Sequence, residues 1–433
     1  MSETQFASTE SAEVRPAPVV ETDRIQSLDV LRGFALLGIL LLNILGFGLH
    51  SSGYFNPLVG IGDNAALNLG IWASVDVLFE GSMRCLFSML FGAGVVLFAS
   101  SKSGALHYKR NFWLLAFGVF DAYVLVWSGD ILIVYALAGA VLYLARNSSP
   151  KRLIIGAVVL ITLMSAFNGL TSFGLGFARE ASQAVEQAGP EADISRDTRE
   201  LALVWDDFIE DYAPAEPATE LAERRGSYAR VFVFNADYMT GVLTFVIPVI
   251  LFWDALAMML LGMALFKMGV MNASRTTGFY VRFMLIGFAA GLGINSYEVS
   301  LGFASGFDVA STFAFMKPTY HIGRLGMAAG YLGLVMLVCK SVWLPATSKR
   351  LAAVGRMALT NYLAHSLIAL FVFTGAGFAL VGMLERWALY LIVFAIWAFQ
   401  LFFSTWWLER YRFGPIEWLW RGLTYGTWPV LQR

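Results

Sequence analysis

The sequence is short of charge, of cysteine and of histidine. Lys, Arg, Asp and Glu make up 14% of its 433 residues, where soluble domains carry about a quarter. That excludes an ordinary water-soluble globule. With 30 basic and 31 acidic residues the formal net charge is −1, which leaves no bulk field for nucleic acid. Only two cysteines occur, Cys85 and Cys339. Both lie in apolar blocks near opposite membrane faces in the topology below, so neither a disulfide nor a cysteine metal site is expected. The four histidines show no ligand spacing, and no glycine run has the spacing of a phosphate loop, so no metal and no tightly bound cofactor is expected. The first 24 residues lack an apolar core segment. They read as a disordered cytoplasmic tail rather than a signal peptide.

Apolar sequence is what the chain has in excess, at 58%. It falls into blocks of about 20 residues, the length that crosses a bilayer core. The pattern predicts an all-α, polytopic membrane helical bundle of about ten transmembrane helices. The spans are approximately 28–49, 82–100, 112–128, 130–146, 152–176, 241–267, 279–297, 319–340, 351–375 and 386–408. A block at 69–80 is too brief to span and reads as an interfacial or re-entrant helix. Lys and Arg recur in every second connection: Arg15 and Arg24, Lys102 to Arg110, Arg146 to Arg152, Lys267 to Arg282, Lys340 to Arg350, and Arg410 onward. By the positive-inside rule both termini are cytoplasmic.

The organisation follows from these blocks. Residues 1–24 are the tail, 25–177 an N-terminal bundle of five spans, and 178–229 an extracytoplasmic loop. Residues 230–408 form a C-terminal bundle of five spans, and 409–433 an interfacial cytoplasmic segment rich in aromatics and arginine. The loop holds 13 acidic and 5 basic residues, with helical character from Glu180 to Tyr212 and a break at "APAEPATE". It is either a solvated insertion or a lid over an outer site. Membrane lipids are the partners this composition implies, and a homo-oligomer is compatible with it.

Ionisable groups inside hydrocarbon cost a few kcal/mol each and need partners or water. Asp29 and Arg32 sit three apart on one face of the first helix, and Asn43 lies eleven residues beyond Arg32. That is close to three turns, roughly 16 Å along the same stripe. Glu80 and Arg84 are spaced for a pair at the outer entrance of the second span. Asp121 falls in the middle of the third span, Asp130 at the outer start of the fourth, and Asp254 within the sixth. His321 opens the eighth span with Arg324 one turn on. His365 lies mid-span, four residues after Asn361 and on its face. Asp29, Arg32, Asn43, Arg84, Asp121 and Asp130 are expected to share one polar interior. His50 and His107 lie in or beside loops and carry no functional expectation.

The stretches "LDVLRGFALLGILLLNI", "LFSMLFGAG", "WSGDILIVYALAG", "LLGMALFKMG", "GRMALTNYLAHS" and "FGPIEWLWRGLTYG" resemble, in that order, the YeiB-like family of bacterial multi-pass membrane proteins. The resemblance covers nearly the whole chain after the tail and implies a bacterial inner-membrane location. The opening pattern is also similar to the wider transmembrane acyltransferase superfamily. Those proteins move an acyl group from a cytoplasmic donor, often acetyl-CoA, to an outer acceptor. In one branch the first helix carries Asp, then Leu-Arg-Gly, then a histidine base eleven residues after the Arg. Here Asp29 and Arg32 match, but Asn43 stands in the histidine's place. An amide does not titrate and cannot be a general base.

The resemblance therefore implies acyl transfer with a different base, acyl-CoA being a co-substrate. His321 and His365 are the candidates, with Asp29, Arg32, Asn43, Arg84, Asp121, Asp130, Arg324 and Asn361 as binding groups. The alternative is a carrier for a small anionic or lipid-like solute through the same interior.

Overall fold

The computed structural model describes residues 25–433 apart from 60–61, 101, 190–192, 213–216, 309–316 and 342–343. The tail 1–24 and part of the expected "APAEPATE" break thus lie outside the described residues. Those residues are overwhelmingly helical. In chain order the helices are α1 (Gln26–Gly48), α2 (Ser51–Phe55), α3 (Ala65–Phe79), α4 (Ser82–Ala99), α5 (Gly104–Val119) and α6 (Leu132–Leu142). Next come α7 (Pro150–Ala188), α8 (Arg196–Tyr212), α9 (Ala218–Arg224), α10 (Tyr228–Gly241), α11 (Phe252–Lys267) and α12 (Thr277–Ala304). The chain closes with α13 (Tyr320–Lys340), α14 (Pro345–Arg356), α15 (Ala358–Phe373), α16 (Arg386–Arg410) and α17 (Pro415–Tyr425).

Among the described residues, seven helical stretches are long and apolar enough to cross a membrane, or eight if the bent pair α14–α15 counts as one. The number expected from sequence, about ten, is therefore not reached by length. The two shortfalls are the expected spans at 112–128 and 130–146. Helix α5 gives way to a π-helical turn at Phe120–Val124, and the segment Leu132–Ala145 is shorter than a full crossing. The block at 69–80 belongs to α3, which meets α4 at Gly81. That glycine has φ +64°, and a Cβ there would sit 2.5 Å from the Tyr320 hydroxyl. Helix α7 runs unbroken to Ala188, across the boundary expected at 177.

Burial divides the helices by role. Most of α1 is buried, whereas the apolar windows of α7 and α12 are largely exposed. Ile155, Val158, Leu163, Leu170 and Phe173 on α7, and Leu285 and Ile286 on α12, are all exposed. Apolar surface this extensive is foreign to a soluble monomer and fits lipid tails. The chain is an integral membrane protein.

Helices in lipid gain little from hydrophobic burial against one another, so close packing has to hold them. Helices α4 and α11 cross where Gly92 meets Gly262. A Cβ on Gly92 would lie 2.0 Å from the Met259 carbonyl oxygen, and one on Gly262 2.0 Å from that of Met89. The obstacle on each side is backbone, which cannot rotate away. Gly92→Ala should push the two helices apart and cost about 2 kcal/mol, read as a lower melting temperature in detergent. A wild-type melt would contradict this contact. The same device joins α1 to α14, where a Cβ on Gly33 would lie 2.0 Å from Leu351 O and one on Gly355 1.9 Å from Asp29 O.

Helices α14 and α15 meet at 76°. No proline stands at the bend. Instead the first turn of α15 takes its cap from far along the chain. Glu417 of α17 accepts from Leu359 N (2.7 Å), Thr360 N (3.1 Å) and Thr360 Oγ1 (2.5 Å). These are donors that a helix start cannot pair internally. Thr360 Oγ1 in turn accepts from Ile416 N, 3.1 Å away, in the first turn of α17.

The bonds between connecting segments fall into two separate sets. In one, Lys267 donates to Arg146 O and Ser148 O, Lys340 to Ala273 O, Ser27 to Met271 O, and Trp420 Nε1 to Arg110 O. In the other, Arg225 donates to Val381 O, Arg386 to Gly53 O, Asn295 to Val77 O, and Tyr228 to Val124 O. The first set ties the Lys/Arg-rich connections together and defines a basic face. The second defines the opposite face.

Candidate functional site

A cavity of about 850 Å³ enters the bundle from the opposite face. Its wall is built by α1 from Ile39 to Leu49, by the turn from Leu125 to Ile131, and by residues of α4, α10, α11 and α15. The backbone is irregular on two sides of it. The π-helical turn Phe120–Val124 precedes one wall. A second π-helical stretch, Val242–Leu251, joins α10 to α11 and contains Pro248. Proline lacks the N–H that a regular helix needs, and the wider winding absorbs that loss. Turns of this kind recur at functional sites.

The floor is ionic. Asp254 takes both terminal nitrogens of Arg324, with Nη1 to Oδ2 at 3.0 Å and Nη2 on Oδ1. Arg84 Nε stands 3.9 Å from the same carboxylate, and its Nη2 donates to the Tyr320 hydroxyl at 2.9 Å. Behind them His321 Nδ1 is 2.7 Å from Arg324 Nη2. A guanidinium only donates, so Nδ1 is the acceptor and the ring hydrogen sits on Nε2. That leaves His321 no free lone pair while the contact holds. Asp130 Oδ2 accepts from Ile133 N at 2.8 Å and so caps the first turn of α6. The Asn43 amide lines the cavity and has no hydrogen-bond partner among the described residues.

The roof comes from the acidic loop. Arg224, at the end of α9, donates to the carbonyls of Gly46 (2.9 Å), Phe47 (2.8 Å) and Leu49 (2.7 Å), and to Glu220 (2.9 Å). Those carbonyls are the unpaired ones that end α1. Glu220 also accepts from Ser51 N at 2.9 Å. His50 caps the five-residue α2 by accepting from Gly53 N at 3.2 Å. Burial pushes its imidazole below the ordinary value of 6.5; Glu220 opposes that and Arg224 adds to it.

The residues singled out in the sequence are therefore divided. Asn43, Arg84 and Asp130 line one cavity together. Arg324 and His321 form the layer behind its floor, neither of them among the lining. Asp121 is fully buried beside Asp130 and Ser366, and its oxygens make no hydrogen bond of normal geometry. Asp29 and Arg32 bond each other at 2.9 Å near the basic face and do not reach the cavity. His365 and Asn361 belong to another polar group. His365 Nε2 lies 3.1 Å from Gln400 Oε1, Gln400 donates to Asn361 O, and Asn361 to Ser404.

Sequence reasoning passed over His50, Trp127, Glu220, Arg224 and Asp237, all of them lining residues. Only Glu220 and Arg224 left a signal, their spacing of four within a helical turn of the acidic loop. Among the described residues, no group of three His, Cys, Asp or Glu side chains could hold a metal ion.

Residues 265–427 match a family described as a protein of unknown function, DUF418. Over 434 residues the chain is 31% identical to the uncharacterized protein YxaH of Bacillus subtilis, covering 96% of this chain and 98% of that one. Over 408 residues it is 29% identical to the uncharacterized protein YeiB of Escherichia coli, covering 93% and 96%. An uncharacterized 39.9 kDa protein from the amylase 3′ region of Bacillus acidopullulyticus is 25% identical over 436 residues, covering 96% and 98%. No solved structure matches the chain.

Proposed function

We propose, for a chain that belongs to the YeiB-like family of multi-pass membrane proteins, that it transfers an acyl group across a bacterial inner membrane to an acceptor bound in the cavity. The basic face is cytoplasmic in this reading, as its Lys and Arg content favours, and the cavity opens outward. One observation carries it. Helix α1 alone links both ends of the reaction: Asp29 and Arg32 stand near the basic face, and the unpaired Asn43 amide faces the cavity. Arg32 is a contact for the phosphates of an acyl-CoA donor. Asn43 is placed to donate to the oxygen that gains charge in the transition state.

The base assigned here is Asp130, since it lines the cavity and both candidate histidines stand outside the lining. The acceptor's amine or hydroxyl attacks the acyl carbonyl, and its proton passes to Asp130. The acyl–sulfur bond breaks, and the proton taken by Asp130 passes on to the departing thiolate, which leaves as the thiol and restores the carboxylate. His321 is then a positioning group, holding Arg324 and through it Asp254. In proteoliposomes with labelled acetyl-CoA, Asp130→Asn should slow transfer roughly 100-fold or more, the usual worth of a general base. His365→Gln should transfer at the wild-type rate. Equal rates for wild type and Asp130→Asn would reject this base.

A carrier is the second reading, and a specific observation favours it. Between Arg32 and Ile39 helix α1 is packed into the bundle, Ala35 and Leu36 being fully buried. The bent pair α14–α15 leans on that stretch at Gly33 and Gly355. A packed stretch beside a broken span suits alternating access. Solute flux without acyl transfer in the same vesicles would select it.

A further inference from the structure

We infer that the cavity receives an organic cation, an amine carried on an apolar body. This rests on the cavity being a substrate site and holds for either acyl acceptor or transported solute. Six carboxylates line it: Glu80, Asp130, Glu210, Glu220, Asp237 and Asp254. Among the described residues only two guanidiniums do, Arg84 and Arg224.

Both guanidiniums are committed within the protein. Arg224 spends its terminal nitrogens on three carbonyls and Glu220. Arg84 is bonded to Tyr320 and stands beside Asp254. An anionic ligand would have to displace one of these contacts and then sit among carboxylates, which repel it. The carboxylate surplus is real after pairing. Asp254 is matched by Arg324 and Glu220 by Arg224, and Glu80 accepts from the Tyr320 hydroxyl, whereas Asp130, Glu210 and Asp237 make no ion pair among the described residues. Glu210 and Asp237 are exposed and attract a cation to the mouth, and Asp130, 5% exposed, meets it inside.

The acids are also spread out. No three of them converge as a metal ion requires. Rings share the lining with them, among them Phe47, Tyr54, Trp127, Tyr238 and Phe373. Aromatic faces beside dispersed carboxylates hold alkylammonium groups by cation–π attraction while their apolar sides cover the rest of the molecule. A hydrated inorganic cation would gain nothing from those rings.

The test uses three probes of matched shape: 2-phenylethylamine, 2-phenylethanol and 3-phenylpropionate. Each is titrated against the purified full-length protein in detergent, with thermal stabilisation and tryptophan fluorescence as readouts. The amine should bind saturably, at least roughly tenfold more tightly than the alcohol, a difference one desolvated charge contact can supply. The carboxylate should not bind. Asp130→Asn, which keeps the cap to Ile133, and the double variant Asp237→Asn/Glu210→Gln should each weaken the amine and leave the alcohol unchanged. No saturable amine binding, equal binding of amine and carboxylate, or indifference to all three substitutions overturns the inference. Because no acyl transfer is read, a protein that binds the amine and transfers nothing would reject the enzyme reading and leave this one standing.

Discussion

Asp254→Leu should lose most of its folded protein, and Arg324→Met should do the same. The two side chains are almost wholly buried, at 4% and 1% exposure, and each is the other's main partner. Removing one leaves an uncompensated charge inside the bundle, which costs roughly 3–5 kcal/mol. The double variant Asp254→Leu/Arg324→Met removes both charges and should recover part of the loss, since buried pairs replaced by apolar residues are often near neutral. Recovery should be incomplete. Arg84 loses its carboxylate neighbour, and His321 Nδ1 loses its donor. Melting in detergent and the yield of monodisperse protein measure the effect. Single variants that melt with the wild type, or a double variant worse than either, would contradict the assignment.

Glu417→Ala should be nearly as damaging, although it lies outside the spans. It strips the acceptor from two backbone N–H groups and a hydroxyl in the first turn of α15. A hydrogen bond to a charged group contributes about 1.5–3 kcal/mol. The losses share one carboxylate and are not additive, so the expected cost is roughly 3 kcal/mol. Glu417→Gln keeps one acceptor oxygen and should fall between. Limited proteolysis offers a readout specific to this contact. The segment after Arg410 should become cleavable in Glu417→Ala before the rest of the protein melts. Unchanged cleavage would show that α17 docks by its aromatic residues alone.

What was legible in the sequence was mostly local. The 23 residues of α1 stand as an unbroken apolar helix, and the Asp29–Arg32 pair, three residues apart, is bonded as its spacing implies. The Lys/Arg-rich connections gather on one face. The features that shape the cavity lie in contacts between residues far apart in the chain. Asp254 and Arg324 are 70 positions apart, and Glu417 is 58 from Leu359. Nothing in "GRMALT" marks a bend, because the group that stabilises it belongs to another helix. His50 reads as a loop residue because the helix it caps, α2, is only five residues long and leaves no periodicity. His321 and His365 drew attention as titrating groups, but periodicity could not say which wall each would stand behind. Hydropathy makes 112–128 and 130–146 full-length spans because it registers neither the π-turn at Phe120–Val124 nor the irregular turn from Leu125 to Ile131.

The reciprocal capping of α15 and α17 has a bearing on how the chain is made. A membrane helix is released from the insertion machinery with its own hydrogen bonds formed, but the start of α15 cannot complete its set from nearby residues. It must wait until Glu417, 57 positions after Thr360, has been synthesised. Until then the 76° bend between α14 and α15 lacks the brace that Glu417 gives it and rests on the Asn361–Val354 bond and the packing of α14 on α1 alone. A nascent chain stalled before that point would be inserted with the first turn of α15 still uncapped.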